Sequence, residues 1–211
     1  MKTDLEIKPG IYKHYKGNYY RVHRVAVFTE DKTESFVIYQ ALSGECGTWA
    51  RPAKMWNEMV EVGGKINKRF EPFIVESSKF VDKVALVYIR DGKILFTRSA
   101  GIDGFYYSPG GKRDLGETDL ECLAREIKEE LSVNIKPDTA QFYGVFYGQA
   151  HGKSEGMLLR MACYQCDFDG EPVASEEIEE LAWLSYRDRD RVPPAGKCFL
   201  DELYSKGLLV Y

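Results

Sequence analysis

The sequence predicts an α/β protein in two units: a small β-rich N-terminal domain, then a larger domain in which helices flank a mixed sheet. Three observations support this. Residues from about 7 to 62 hold short strand-like runs and no long helical period. Gly63-Gly64-Lys65-Ile66-Asn67-Lys68-Arg69 breaks the apolar pattern with two glycines and a basic run, as a linker would. Beyond it, strand-like runs surround one strongly amphipathic helix. The division adopted is 1–65 for the accessory domain, 66–77 for the linker and 78–211 for the second domain.

In the first unit, Ile11 to Tyr15 and Tyr19 to Phe28 flank Lys16-Gly17-Asn18, a hairpin loop with glycine where the chain must reverse. Ser35 to Leu42 and Thr48 to Ala50 follow, divided by Ser43-Gly44-Glu45-Cys46-Gly47. Four or five short strands in about 55 residues suggest a strongly bent, SH3-like β-barrel. Tyr12, His14, Tyr15, Lys16, Tyr20, Trp49 and Arg51 offer a stacking surface for nucleotides or single strands, although aromatics that fill the barrel explain them more simply.

In the second unit, Val84 to Ile89 and Ile94 to Thr97 flank Arg90-Asp91-Gly92-Lys93, whose Asp-Gly pair marks a tight hairpin. Leu120, Leu123, Ala124, Ile127 and Leu131 recur at i, i+3, i+4, i+7 and i+11, the stripe of a half-buried helix. Thr118 and Glu121 read as the capping box that starts it. Phe142 to Tyr147, Met157 to Phe168 and Leu181 to Leu184 read as strands. A last helix runs from about Lys197 to Lys206 and stops before Gly207.

Composition narrows the function. A chain of 211 residues with 44% hydrophobic content can bury a sizeable core. Its net charge of −4 argues against broad binding to nucleic acid or anionic membranes. No apolar run reaches membrane-spanning length, and Met1-Lys2-Thr3-Asp4-Leu5-Glu6 has no signal pattern, so a cytoplasmic location is expected. Five cysteines without framework spacing fit a reducing compartment. Cys163 and Cys166 lie in a strand-like run without a second ligand pair, so packing is favoured over zinc.

The chemistry concentrates on the helix. Glu126, Glu129 and Glu130 stand at i, i+3 and i+4 and share one face within a turn. Like charges so placed weaken a bare helix, and a hard divalent cation would compensate them. The stretch Gly111-x5-Glu117-x7-Arg125-Glu126-Ile127-x-Glu129-Glu130-x-Ser132-Val133 resembles the Nudix box, G-x5-E-x7-R-E-U-x-E-E-x-G-U, where U is a bulky aliphatic residue. Every fixed position but one is kept. Ser132 replaces a glycine suited to a left-handed turn at the helix end, which costs roughly 1 kcal/mol. The N-terminal unit resembles a short bacterial domain of uncharacterised function through Pro9-Gly10-Ile11-Tyr12-Lys13-His14-Tyr15-Lys16-Gly17 and Thr48-Trp49-Ala50-Arg51-Pro52.

The Nudix resemblance implies an α/β/α sandwich and a pyrophosphohydrolase of nucleoside diphosphate derivatives that uses magnesium or manganese. By that resemblance Glu126, Glu129, Glu130 and the Gly111 carbonyl hold the metal. Glu117 and Arg125 pair within the box, and Glu126 takes the proton, with Glu177 as a downstream acid that replaces it in some relatives. Arg98, Phe105, Tyr107 and Lys112 are the substrate-binding candidates, beside the Gln149–Glu155 stretch with His151. A small nucleotide is the expected partner, nucleic acid is not favoured, no membrane is involved, and pairing into a homodimer is common in the family. Two other readings stand beside this one: a non-catalytic nucleotide sensor, and an RNA 5′-end pyrophosphohydrolase with the N-terminal domain as binding arm.

Overall fold

The computed structural model describes residues 6–73, 80–101 and 104–211. The leader reading of residues 1–5, linker residues 74–77 and the expected domain start at 78 fall outside them. The chain divides into two units, Met1–Lys79 and Phe80–Tyr211.

In the first unit, β1 (Gly10–His14) and β2 (Tyr19–Val27) form the expected hairpin, with Gly17 at φ +103° in its loop. Next come β3 (Ser35–Ala41), β4 (Thr48–Pro52), the short helix α1 (Ala53–Trp56), β5 (Met59–Val62), β6 (Lys65–Lys68) and β7 (Phe70–Pro72). Five of the strands form one antiparallel sheet in the order β4-β3-β2-β1-β7. Its core is Tyr12, Val22, Val37, Tyr39, Trp56 and Phe70, with the Trp56 and Phe70 rings stacked at 3.7 Å.

Two expectations change here. The SH3-like barrel is not confirmed: among the described residues the sheet β4-β3-β2-β1-β7 does not close, and residues 59–68 pair with themselves as the β5–β6 hairpin. The glycines read as a linker form that hairpin's turn: Gly63 and Gly64 both take positive φ, the geometry a two-residue hairpin loop requires. Residues 66–68 and 70–72, placed in the linker, lie in strands β6 and β7.

In the second unit, β8 (Phe80–Val87), β9 (Ile89–Arg90) and β10 (Lys93–Ser99) turn at Asp91-Gly92, again with φ positive at both residues. The C-terminal tail closes over this turn, where the Val210 N–H donates to the Gly92 carbonyl at 2.8 Å. Helix α2 (Asp119–Leu131) leads to β11 (Asn134–Ile135), β12 (Gln141–Gln149), β13 (Leu158–Gln165), β14 (Phe168–Asp169), β15 (Ile178–Leu184) and helix α3 (Pro194–Ser205). β13 runs parallel to β8 and antiparallel to β12, so the sheet is mixed. β15 pairs antiparallel with β10.

β8 explains the layering. Val84 and Leu86 pack with Leu123, Ile127 and Leu131 of α2, whereas Ala85 and Val87 pack with Phe199, Leu200 and Leu203 of α3. A strand buried on both faces reads as a continuous apolar run, as Val84-Ala85-Leu86-Val87 does. Each fully buried Leu or Ile of α2 contributes roughly 1.5–3 kcal/mol. The capping box forms as read: Thr118 Oγ1 accepts the Glu121 N–H at 3.3 Å, and Glu121 Oε2 accepts the Thr118 N–H at 2.8 Å.

Ser132 caps α2 in the left-handed conformation, φ 57° and ψ 20°, so the serine sits where glycine is favoured. Ser132→Gly is expected to stabilise the fold by about 1 kcal/mol, read as a higher urea midpoint at unchanged slope.

Candidate active site

The loop before α2 is built into the sheet. The Val84 N–H donates to the Gly111 carbonyl (2.9 Å) and the Leu86 N–H to Pro109 (2.8 Å), so residues 109–111 run as an extra edge along β8. Tyr107 bridges Thr97 of β10 in the same way. Gly110 is required sterically: at φ +123° a β-carbon there would stand 2.3 Å from the Val84 carbonyl oxygen. Gly111 makes room for a functional side chain, since a β-carbon on it would lie 2.1 Å from the Glu126 carboxylate.

Arg125 organises the acids. Its Nε and Nη2 donate to Glu117 at 2.8 and 3.0 Å, a bidentate pair that holds the Glu117 carboxyl at about 2. Its Nη1 donates to Glu126 (2.8 Å) and Glu129 (3.2 Å), and Nη2 also reaches the Lys112 carbonyl (3.0 Å). Glu126 is nearly buried and Glu129 half exposed.

Glu130 differs from both. It is 7% exposed, and its Oε2 accepts the Gly110 N–H at 2.8 Å. Burial is the main cause that pushes its carboxyl up to about 7; Lys83 and the Gly110 N–H oppose the shift, and Glu126 and Glu177 add to it. Glu177 comes near through backbone stitching of its loop to the end of α2: Val173 N–H donates to Leu131 O (2.9 Å) and Ser175 N–H to Glu130 O (3.1 Å).

The other candidates divide. The Gly111 carbonyl, expected as a metal ligand, accepts the Val84 N–H (2.9 Å) and lies 3.7 Å from the Cys122 thiol. Both loop glycines meet the acids, Gly110 through its N–H to Glu130 and Gly111 by lying against the Glu126 carboxylate. Lys112 contributes its carbonyl to Arg125, and its side chain is exposed. Arg98 is engaged by Glu180 (2.6 and 3.1 Å) and Glu179 (3.2 Å) on the neighbouring strand. The Phe105 ring meets His151 edge-on at 5.0 Å. Tyr107 lines a cavity of about 180 Å³ with Phe96, Tyr106, His151, Met161 and Ala195, mostly apolar. Lys83 also lines it, donates to the Ser108 carbonyl at 3.1 Å and acts on Glu130, so cavity and acids adjoin. Sequence reasoning missed Lys83, whose one signal is a lysine immediately before a fully buried strand run.

Cys122, Cys163 and Cys166 are free and buried, in keeping with packing. Among the described residues no three acidic, His or Cys side chains converge into a ready-made metal cage, because Arg125 occupies the space between Glu117, Glu126 and Glu129. The donor chemistry nevertheless fits a hard divalent cation: carboxylate oxygens on one helix turn, one of them buried without a full counter-charge. Among the described residues no helix is long and apolar enough to cross a membrane.

A family model described as "NUDIX domain" matches residues 80–203, and one described as "Protein of unknown function (DUF1653)" matches residues 10–72. The chain is 26% identical over 182 residues to the NAD-capped RNA hydrolase NudC of Pseudomonas putida, covering 80% of this chain and 63% of that protein. It thus spans under two thirds of that relative's length. It is 28% identical over 121 residues to the CTP pyrophosphohydrolase of Escherichia coli, covering 56% of this chain and 84% of that protein. The solution structure of the E. coli ORF135 protein matches with 26% identity and a TM-score of 0.49, over 60% of this chain and 89% of that one.

A carboxyl whose pKa is higher folded than unfolded weakens the fold as pH rises, here from about 4.5 to about 7. Glu130→Gln is therefore expected to raise the melting temperature in EDTA at pH 8 by on the order of 5 °C, and the gain should vanish below pH 4.5. Calorimetry across that range checks it.

Proposed function

The chain belongs to the NUDIX family through residues 80–203, and from that premise we propose that it hydrolyses the pyrophosphate bond of a nucleotide-sized nucleoside diphosphate derivative. The observation that carries this reading is the buried Glu130 carboxylate beside the Arg125-ordered acids, next to a cavity able to take a flat ring. Glu126, Glu129 and Glu130 would hold magnesium or manganese. Such an ion neutralises phosphate oxygens, lowers the pKa of water and stabilises the leaving phosphate.

The chain's own residues supply the rest. Arg125, pinned by Glu117, fixes the rotamers of Glu126 and Glu129, so those carboxylates need little reorganisation. The Gly110 N–H orients Glu130. Glu126, set against Gly111, takes the proton of the attacking water, and Glu177, whose charge acts on Glu130, is the downstream acid that would replace it in this role. Tyr107 and Phe96 enclose the non-phosphate end, and the Lys83 ammonium offers a donor at the inner wall. A capped or triphosphorylated RNA end is the second reading, supported by the activity named for the NudC relative.

Screening the full chain against nucleoside diphosphate derivatives and capped RNA, with magnesium and with manganese, tests both readings by the product released. Glu130→Gln and Glu126→Gln are each expected to lower kcat/KM by about 10²-fold or more, with the circular dichroism spectrum unchanged. Lys112→Ala is expected to stay within about tenfold, since its backbone carbonyl, not its side chain, meets the site. Full activity of Glu130→Gln would overturn the assignment.

A further inference from the structure

The N-terminal unit carries a row of rings that the hydrolase site does not use. Across the sheet from β1 to β4, Tyr15 meets His14 at 4.3 Å, His14 meets Phe70 at 4.7 Å, Tyr20 meets Tyr39 at 5.5 Å, and Tyr39 meets Trp49 at 6.0 Å. Phe70 links the two halves, 5.7 Å from Tyr20 and 6.1 Å from Tyr39. Phe70 and Tyr39 are buried, but Tyr15, His14 and Tyr20 are half-buried and Trp49 is 48% exposed. Gly47 shapes this end: a β-carbon on it would lie 2.7 Å from the Trp49 ring, so the indole rests against the bare backbone.

Cations accompany the rings. The Arg51 guanidinium lies 5.7 Å over Phe70, and its Nε is 3.4 Å from the Tyr39 hydroxyl. Lys16 lies 5.8 Å over Tyr15. After burial, Arg51, Arg69 and Lys16 are what lower the His14 pKa, which shows that three positive charges surround that imidazole. Arg69 is paired to Glu58 at 2.7 Å through Nη2, while its buried Nε and the Trp56 Nε1 have no partner among the described residues. Residues 10–72 contain ten Lys and Arg against seven Asp and Glu, opposite in sign to the whole chain at −4.

We propose that this face binds a single-stranded nucleic acid, with bases stacked along Tyr15, His14, Tyr20 and Trp49 and phosphates met by Arg51, Arg69 and Lys16. A half-exposed tryptophan at one end of a ring row offers a π-face to any base, and a basic border favours a polyanion over an apolar peptide. The row crosses four strands, about 14 Å at strand spacing, which suits two or three successive nucleotides better than one. The proposal is independent of the hydrolase reading, because none of these residues lies in the C-terminal unit.

The test is fluorescence anisotropy of a labelled eight-nucleotide single strand, as RNA and as DNA, titrated with the full chain in EDTA so that nothing turns over. Saturable binding is expected, with log affinity falling against log salt at a slope of roughly −0.7 per phosphate met. Trp49→Ala is expected to weaken binding about tenfold or more, with Trp49→Phe restoring most of it. Arg51→Gln should lower affinity and flatten the salt slope. Circular dichroism confirms that the variants fold, as expected for a half-exposed tryptophan. If polyglutamate competes as well as the single strand, the surface reads charge alone and the proposal fails. It also fails if a mononucleotide binds as tightly as the strand, or if neither Trp49→Ala nor Arg51→Gln alters binding.

Discussion

The C-terminal domain is organised around one guanidinium. Arg125 spends its donors on Glu117, Glu126, Glu129 and the Lys112 carbonyl, tying together the loop, the start of the helix and the acids one turn on. A lysine could not substitute, because a point charge on a flexible stem lacks the fixed fork that meets several acceptors at once. The loop is held independently by its bonds to β8, so Arg125 joins two parts already fixed in place. Carboxylates that would otherwise repel one another are thereby held close together.

Much of this was legible from residue spacing. The amphipathic stripe, the Thr118–Glu121 capping box and the Asp91-Gly92 turn all appear where the pattern places them, because each depends on contacts within a few residues. The Glu117–Arg125 pair came from the Nudix resemblance alone, and the structure forms it.

What escaped the sequence depends on distant partners. Whether short strands close into a barrel is decided by long-range pairing: β7 joins β1 at one edge of the sheet, β4 forms the other edge, and residues 59–68 pair locally. Two glycines before a basic run read equally as a linker or as a turn, and only the positive φ of both separates the cases. Glu177 was named only through the Nudix resemblance; the backbone bonds from residues 173 and 175 that bring its loop to the end of α2 leave no mark on side-chain identity. Lys83 acts electrostatically on the buried acid, again without a local signature.

The cavity beside the acids has a second consequence. Its wall includes Ala195 and Gly196 at the start of α3, and α3 meets β12 at Gly148, where a β-carbon would stand 2.6 Å from that of Ala195. That single contact acts as a shim beneath the helix: any larger residue at position 148 would lever α3 outward and enlarge the cavity. Ligand preference can thus drift through a position that touches neither the ligand nor the catalytic turn, which lets selectivity evolve apart from chemistry.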